Sequence, residues 1–144
     1  MQFLVGIRIN KMFDPFVSRN AQGVCFNRFQ GDVRKVLTVC SACCLRSPTA
    51  ANVLHTEYGY NTRSAGIEEE YAIVPVTARL LMWADEIVCM ESWQAQVVHE
   101  RLAMMGIQRY VVCLNIDDNY SYMQPELASL IKQRYDQQVP TDKS

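Results

Sequence analysis

Cys40 and Arg46 enclose five residues in Cys-Ser-Ala-Cys-Cys-Leu-Arg, and Ser47-Pro48 follow at once. The apolar run Val36-Leu37-Thr38-Val39 leads into this stretch. A thiol at the end of a buried strand, facing a helix start, lies near unpaired backbone N–H groups and the positive end of the helix dipole. That setting favours thiolate. The same N–H groups can cradle a tetrahedral anion. Arg46 adds a planar, permanently charged fork that can hold two oxygens of that anion at once, which a lysine could not reproduce. Ser47 can cap the helix or donate its hydroxyl to the thiolate, and Pro48 suits a first helical turn, where its missing N–H costs nothing. One loop, with Ser41, Ala42, Cys43, Cys44, Leu45, Arg46 and Ser47 as its anion cradle, thus offers a nucleophile and a clamp together.

The competing reading of Cys40 is a buried structural cysteine, because free Cys is among the most buried residue types. A Cys-x5-Arg pair alone says little in a chain with six cysteines. The Ser-Pro behind it and the strand in front favour the oxyanion loop.

The elements that must position this loop can be read from periodicity. Val36–Val39 is a short strand, and Thr49–Tyr58 a helix with Ala50, Val53 and Leu54 on one face. Asn61–Arg63 is a weak strand before Ser64-Ala65-Gly66, and Thr77–Trp83 a short helix. Glu86–Met90 is a strand. Ser92 then caps a helix carrying Val98, Leu102 and Met105, stopped by Gly106. Arg109–Leu114 is the strongest strand, and Pro125 opens a last helix with Leu127, Leu130, Ile131 and Tyr135 on one face. Strands alternating with helices imply an α/β fold, a parallel sheet covered on both sides. Ligands in such folds bind beyond the carboxyl ends of the strands. Cys40 ends the first of these strands and Asp117-Asp118 follow the last, so both chemical groups fall on one rim. Residues 1–34 form an N-terminal extension ahead of a domain at 35–144. In it Phe3, Val5, Ile7 and Ile9 alternate, so Gln2–Ile9 is expected as an added edge strand, and 10–34 read as loop. The tail after Gln138 is polar and expected to fray.

At 144 residues the chain is long enough for a proper core. Its net charge of −1 gives no electrostatic case for nucleic acid or an anionic membrane. No apolar run approaches a membrane span, and the start lacks the order of a secretion signal. Cys89 and Cys113 lie in apolar strand-like runs and Cys43-Cys44 are adjacent, so a reduced, cytoplasmic chain is expected rather than a disulfide framework. No second Cys or His pair completes a zinc ligand set, and no metal or other cofactor is expected. His55 and His99 read as surface or core residues, Glu68-Glu69-Glu70 as a solvated face, Trp83 and Met90 as core, and Cys89 and Cys113 as inert strand cysteines.

The stretch from Val39 through Ala50 resembles the signature loop of the low-molecular-weight protein tyrosine phosphatases. The resemblance continues through Arg63-Ser64-Ala65-Gly66 and through Trp83-Ala84-Asp85-Glu86-Ile87-Val88-Cys89-Met90-Glu91. It reaches Ile116-Asp117-Asp118-Asn119-Tyr120-Ser121-Tyr122-Met123-Gln124-Pro125-Glu126-Leu127. It is most similar to a small bacterial and phage branch of that family and covers about residues 35–136. The resemblance implies a three-layer α/β fold, with a four-stranded parallel sheet in the order 2-1-3-4 and helices on both faces. The first and fourth strands would lie roughly 10 Å apart, so the acidic loop must lean back over the phosphate loop. It further implies Cys40 as nucleophile, Arg46 as phosphate clamp and Ser47 as the hydroxyl that steadies the thiolate. Asp118 would be the general acid, with Asp117 its close competitor, and Tyr120 an aromatic wall of the cleft.

Three positions depart from the family pattern. Cys43 stands where the family has an Asn that holds an unusual turn, Leu45 where a second Cys is common, and Asn119 where a Pro follows the acid. The activity implied is hydrolysis of phosphotyrosine, in a protein or a small aryl phosphate, through a phosphocysteine. Two rival functions stand beside it. One is an inactive phosphoprotein-binding module, which Cys43 and Asn119 encourage. The other is a thiol-dependent arsenate reductase, which would need a relay of further cysteines; Cys89 and Cys113 are a whole helix apart in sequence and make a poor relay.

Overall fold

The computed structural model describes residues 24–25, 33–41, 46–68, 70, 72 and 74–138. The expected strand Gln2–Ile9 and the loop residues Ala42, Cys43, Cys44 and Leu45 lie outside them. The apolar run at Val36 becomes the middle of strand β2 (Lys35–Cys40), buried from Val36 to Cys40. A strand buried on both faces must be covered from both sides, as its unbroken apolar character requires.

Two helix-linked strands flank it. Strand β3 (Asn61–Gly66) pairs with β2 in parallel on one side and β4 (Glu86–Cys89) on the other, and β5 (Tyr110–Cys113) pairs with β4. Counted in chain order from β2, the four parallel strands lie in the order 2-1-3-4, as the resemblance implies. A two-residue strand, β1 (Val24–Cys25), adds an antiparallel edge to β3. Part of the stretch read as loop between 10 and 34 is therefore joined to the sheet.

Helices α1 (Arg46–Tyr58) and α4 (Pro125–Gln138) cover one face, and α2 (Ala78–Trp83) and α3 (Ser92–Met105) supply the core of the other. Alternation along each strand sorts the residues. Val36, Cys40, Val88, Met90 and Val112 face α1 and α4, together with Ala50, Leu54, Leu127, Ile131 and Tyr135. Leu37, Val39, Ile87 and Cys89 face the other way, with Leu80, Leu81, Val98 and Leu102.

Several boundaries differ from the periodicity reading, each for a local reason. Helix α1 begins at Arg46 rather than Thr49, because the clamp residue is itself the first helical residue. Strand β3 runs on through Ser64-Ala65-Gly66, where β2 supplies partners as far as Cys40 opposite Gly66. Glu91, not Ser92, caps α3; its backbone is extended, and the side chain of Gln94 takes its N–H at 2.9 Å. Gly106 ends that helix in the left-handed conformation (φ 72°), as its position in the sequence predicts. Thr77 caps α2 by accepting the Leu80 N–H.

At the end of the sheet away from Cys40, Glu86 is buried. It accepts hydrogen bonds from Arg34 Nη1 and from the Tyr135 hydroxyl, each at 2.9 Å. Burial raises its carboxyl above the usual range against the pull of these partners. Among the described residues no helix is long and apolar enough to cross a membrane.

Candidate active site

Strand β2 delivers Cys40 to the rim of the sheet and α1 starts six residues later, so the thiol and the first helical turn face each other. Cys40 is buried, and its Sγ lies 3.0 Å from the Ser47 hydroxyl oxygen. Ser47 is fixed from below: its carbonyl accepts from the Thr38 hydroxyl at 2.7 Å. A hydroxyl held this close can donate to sulfur once the thiol has lost its proton.

Arg46 is 2% exposed, and a buried guanidinium must be paired. Nη1 lies 2.5 Å from Glu91 Oε2 and donates to the Ile116 carbonyl at 2.8 Å. Nε lies 3.5 Å from Asp118 Oδ1. With Nη1 committed, the side-on fork of Nε and Nη2 is the edge on which an oxyanion can be held through two parallel hydrogen bonds. Asp118 now stands at that edge.

The acidic loop is held at both ends. Beyond β5, Leu114 N donates to the Cys89 carbonyl and Ile116 N to that of Met90, which carries the chain along the rim toward β4. Arg134 from α4 donates to the Leu114 and Asn115 carbonyls at 2.7 and 2.8 Å. At the far end Met123 N donates to the Thr49 hydroxyl in the first turn of α1, at 2.8 Å. Asn115 and Met123, one at each anchor, adopt left-handed backbone (φ 57° and 59°). This is how the loop leans back across two strand spacings. The Asp118 side chain, 68% exposed, meets Arg46; Asp117 is exposed and has no ion pair among the described residues.

The structure thus brings Cys40, Ser47, Arg46 and Asp118 to one place. Ser41 joins them through its hydroxyl, which accepts from Gln94 Nε2 at 3.3 Å. Tyr120 sits on the α4 side, half-buried against the core and beside Pro125, Glu126, Ser129, Leu130 and Gln133. The four cradle positions between Ser41 and Arg46 lie outside the described residues.

Glu91, Gln94, Thr49 and Arg134 had no role in the sequence reading. Gln94 is wholly buried and accepts the N–H groups of Met90 and Glu91 at 3.1 and 2.9 Å, which binds the end of β4 to the start of α3. Trp93 Nε1 donates to Glu91 Oε1 at 3.2 Å, on the carboxylate that also holds Arg46. A signal for Glu91 existed: it follows β4 on the same rim as Asp117-Asp118 follow β5.

Distance along the chain misled in one respect. Cys89 and Cys113, a helix apart in sequence, are register partners on adjacent strands. Both lie on the sheet side opposite to Cys40, where burial raises the Cys89 thiol well above its ordinary range. Among the described residues Cys89 and Cys113 are free thiols.

The architecture is that of the low-molecular-weight protein tyrosine phosphatases. Among solved structures the chain is similar to the YwlE arginine phosphatase from Geobacillus stearothermophilus, at 19% identity and a TM-score of 0.55, over 72% of this chain and 92% of that one. It is similar as well to Vibrio vulnificus Wzb in complex with benzylphosphonate, at 21% identity and a TM-score of 0.54, over 73% and 93%. A third is YfkJ from Bacillus subtilis, at 20% identity and a TM-score of 0.53, over 75% and 93%. No family model and no curated protein matches the chain in sequence.

Proposed function

We propose that the protein is a cysteine-dependent phosphatase that acts through a phosphocysteine. The observation that carries this reading is the meeting of Arg46 and Asp118 beside the Cys40–Ser47 pair, on a fold shared with solved phosphatases. The Cys40 thiolate attacks phosphorus in line, while the Nε–Nη2 edge of Arg46 and the N–H groups of residues 41–47 hold the equatorial oxygens. Asp118 gives its proton to the departing oxygen. As a carboxylate it then takes a proton from the water that attacks phosphocysteine, releasing phosphate and restoring the thiolate. Ser47 donates to sulfur and so stabilises it as both nucleophile and leaving group. Before phosphate arrives, Asp118 occupies the edge of Arg46 that phosphate will take. Binding therefore frees the carboxyl to turn toward the leaving group.

Phosphotyrosine, in a protein or as a small aryl phosphate, is the substrate this reading favours, with Tyr120 and the acidic loop bounding one side of the cleft. Phosphoarginine is a second reading: one of the similar structures is an arginine phosphatase, and the carboxylates of Glu91 and Asp118 at the mouth would suit a guanidinium leaving group. Arsenate reduction is the weaker alternative, because the free thiols of Cys89 and Cys113 lie across the sheet from Cys40.

Hydrolysis of p-nitrophenyl phosphate, phosphotyrosine and phosphoarginine by the wild type and by Cys40→Ser tests the proposal. Turnover is expected in the wild type, with an acid-side pH optimum, and none in the variant, which keeps phosphate binding. Turnover retained by Cys40→Ser would overturn the assignment, and phosphate binding without turnover in the wild type would make the protein a binding module.

A further inference from the structure

Resting on the phosphate site just proposed, we infer that Trp93 is a wall of the substrate cleft and selects a flat, apolar group attached to the phosphate. Three contacts place the first turn of α3 at the mouth of the anion site. Gln94 Nε2 reaches the Ser41 hydroxyl, Glu91 Oε2 holds Arg46, and Trp93 Nε1 donates to Glu91 Oε1. Two hydrogen bonds and the width of one carboxylate put the indole nitrogen within roughly 8 Å of the Arg46 guanidinium. A ring joined to a phosphate on the Nε–Nη2 edge of that guanidinium would extend about 5 Å beyond phosphorus and would approach the indole where it points toward α3.

Among the described residues the hydrogen bond of the indole goes to Glu91, and the residue remains 40% exposed. Its backbone is fixed, since Gln94 takes the N–H of Glu91 and the helix begins at Ser92. A large, amphipathic ring with one tethered edge and a solvent-exposed part offers contact area at little cost in conformational freedom. Tyr120, which bounds the cleft on the acidic-loop side, is half-buried against the core and beside α4 and leaves the α3 side to another residue. Trp83, the second tryptophan of the chain, lies under the Arg63 guanidinium at 4.9 Å and is no candidate. Trp93 is thus the large exposed aromatic tied to the clamp.

The rival role for Trp93 is indirect: its N–H could simply orient Glu91 and, through it, Arg46. Binding separates the two without requiring turnover. Calorimetric titration with benzylphosphonate and with methylphosphonate compares ligands that share the anion and differ in the ring. The wild type should bind benzylphosphonate more tightly. Trp93→Ala should weaken benzylphosphonate by about threefold to tenfold, the usual worth of an aromatic contact, and leave methylphosphonate within about twofold. Trp93→Phe, which keeps a ring and loses the N–H, should retain most of the preference. An equal change for both ligands in Trp93→Ala, or loss of the preference in Trp93→Phe, would show that Trp93 acts through Glu91 and would overturn the inference. An unchanged preference in Trp93→Ala would overturn it as well, while leaving the phosphate site intact. Failure of the wild type to bind either phosphonate would remove the phosphate site itself, and the inference with it.

Discussion

Replacing Glu91 with Gln should move stability and phosphate affinity in opposite directions. The Arg46 side chain is 3% exposed, and its Nη1 lies 2.5 Å from a carboxylate that is 31% exposed. Opposite charges with centres about 4 Å apart attract by about 4 kcal/mol at an effective dielectric of 20. Solvent reaches the Glu91 side, and screening there brings the contribution nearer to ~2 kcal/mol. Gln keeps the size and an acceptor for Arg46 but removes the charge. The urea midpoint should therefore fall by an amount equivalent to about 2 kcal/mol, with an unchanged slope. Anion binding responds the other way. A phosphate dianion on the Nε–Nη2 edge would lie roughly 7 Å from the Glu91 carboxylate, across the guanidinium. At an effective dielectric of about 40, two negative charges against one cost about 2 kcal/mol. Removing the carboxylate charge relieves that repulsion. Inorganic phosphate should bind roughly thirtyfold more tightly at low ionic strength, and the gain should shrink as salt is added. Calorimetry at two salt concentrations, beside urea denaturation, reads both effects. Weaker phosphate binding in the variant would refute the charge argument and make Glu91 a residue that only holds Arg46 in place.

Asp118→Asn should lower turnover of an aryl phosphate by about 10²–10⁴-fold, the usual share of general acid–base help, while Asp117→Asn stays close to wild type. Steady-state rates of the two variants check this, and the larger loss at Asp117 would reverse the roles. Glu86 makes a prediction about pH. Its folded-state carboxyl is raised by burial, so it contributes stability that is fully present below the unfolded-state value and lost as pH rises through the raised one. Glu86→Gln cannot ionise, so its urea midpoint should lack that decline above about pH 4.5, the ordinary carboxylate value. A wild-type midpoint that stays level while the variant's falls would contradict the sign.

The order of strands and helices was legible because each apolar run has a period that belongs to one kind of element. The same holds for the single rim, since Cys40 and Asp118 both follow strand ends. Contacts that depend on register were not legible. Glu91 looks like any acidic residue after a strand until β4 is set beside β2, with Val39 opposite Cys89, and its carboxylate meets Arg46. Thr49 reads as an ordinary residue of a first helical turn, yet it anchors Met123 from 74 residues away. Gln94 lies four residues before Val98 and eight before Leu102, on the same helix face, but its polar type does not mark it as wholly buried. Cys89 and Cys113 make the same point in reverse, since their separation in sequence vanishes across one ladder of hydrogen bonds.

Arg46 gathers these threads, because its own helix does little to aim it. As the first residue of α1 its backbone is fixed by the helix, but its guanidinium is set by three groups from the two segments that follow other strands. Glu91 follows β4, while the Ile116 carbonyl and Asp118 follow β5. Ser47, one residue on, is fixed by Thr38 within β2. The geometry on which phosphoryl transfer would depend is therefore a product of sheet register rather than of the nine-residue loop alone. A slip of one residue between β2 and β4 would turn Met90 and Glu91 to opposite faces and leave the buried guanidinium without its carboxylate, at a cost of about 3–5 kcal/mol. Register and clamp thus enforce each other. A chain folded well enough to bury Arg46 is already folded well enough to hold its guanidinium in this orientation.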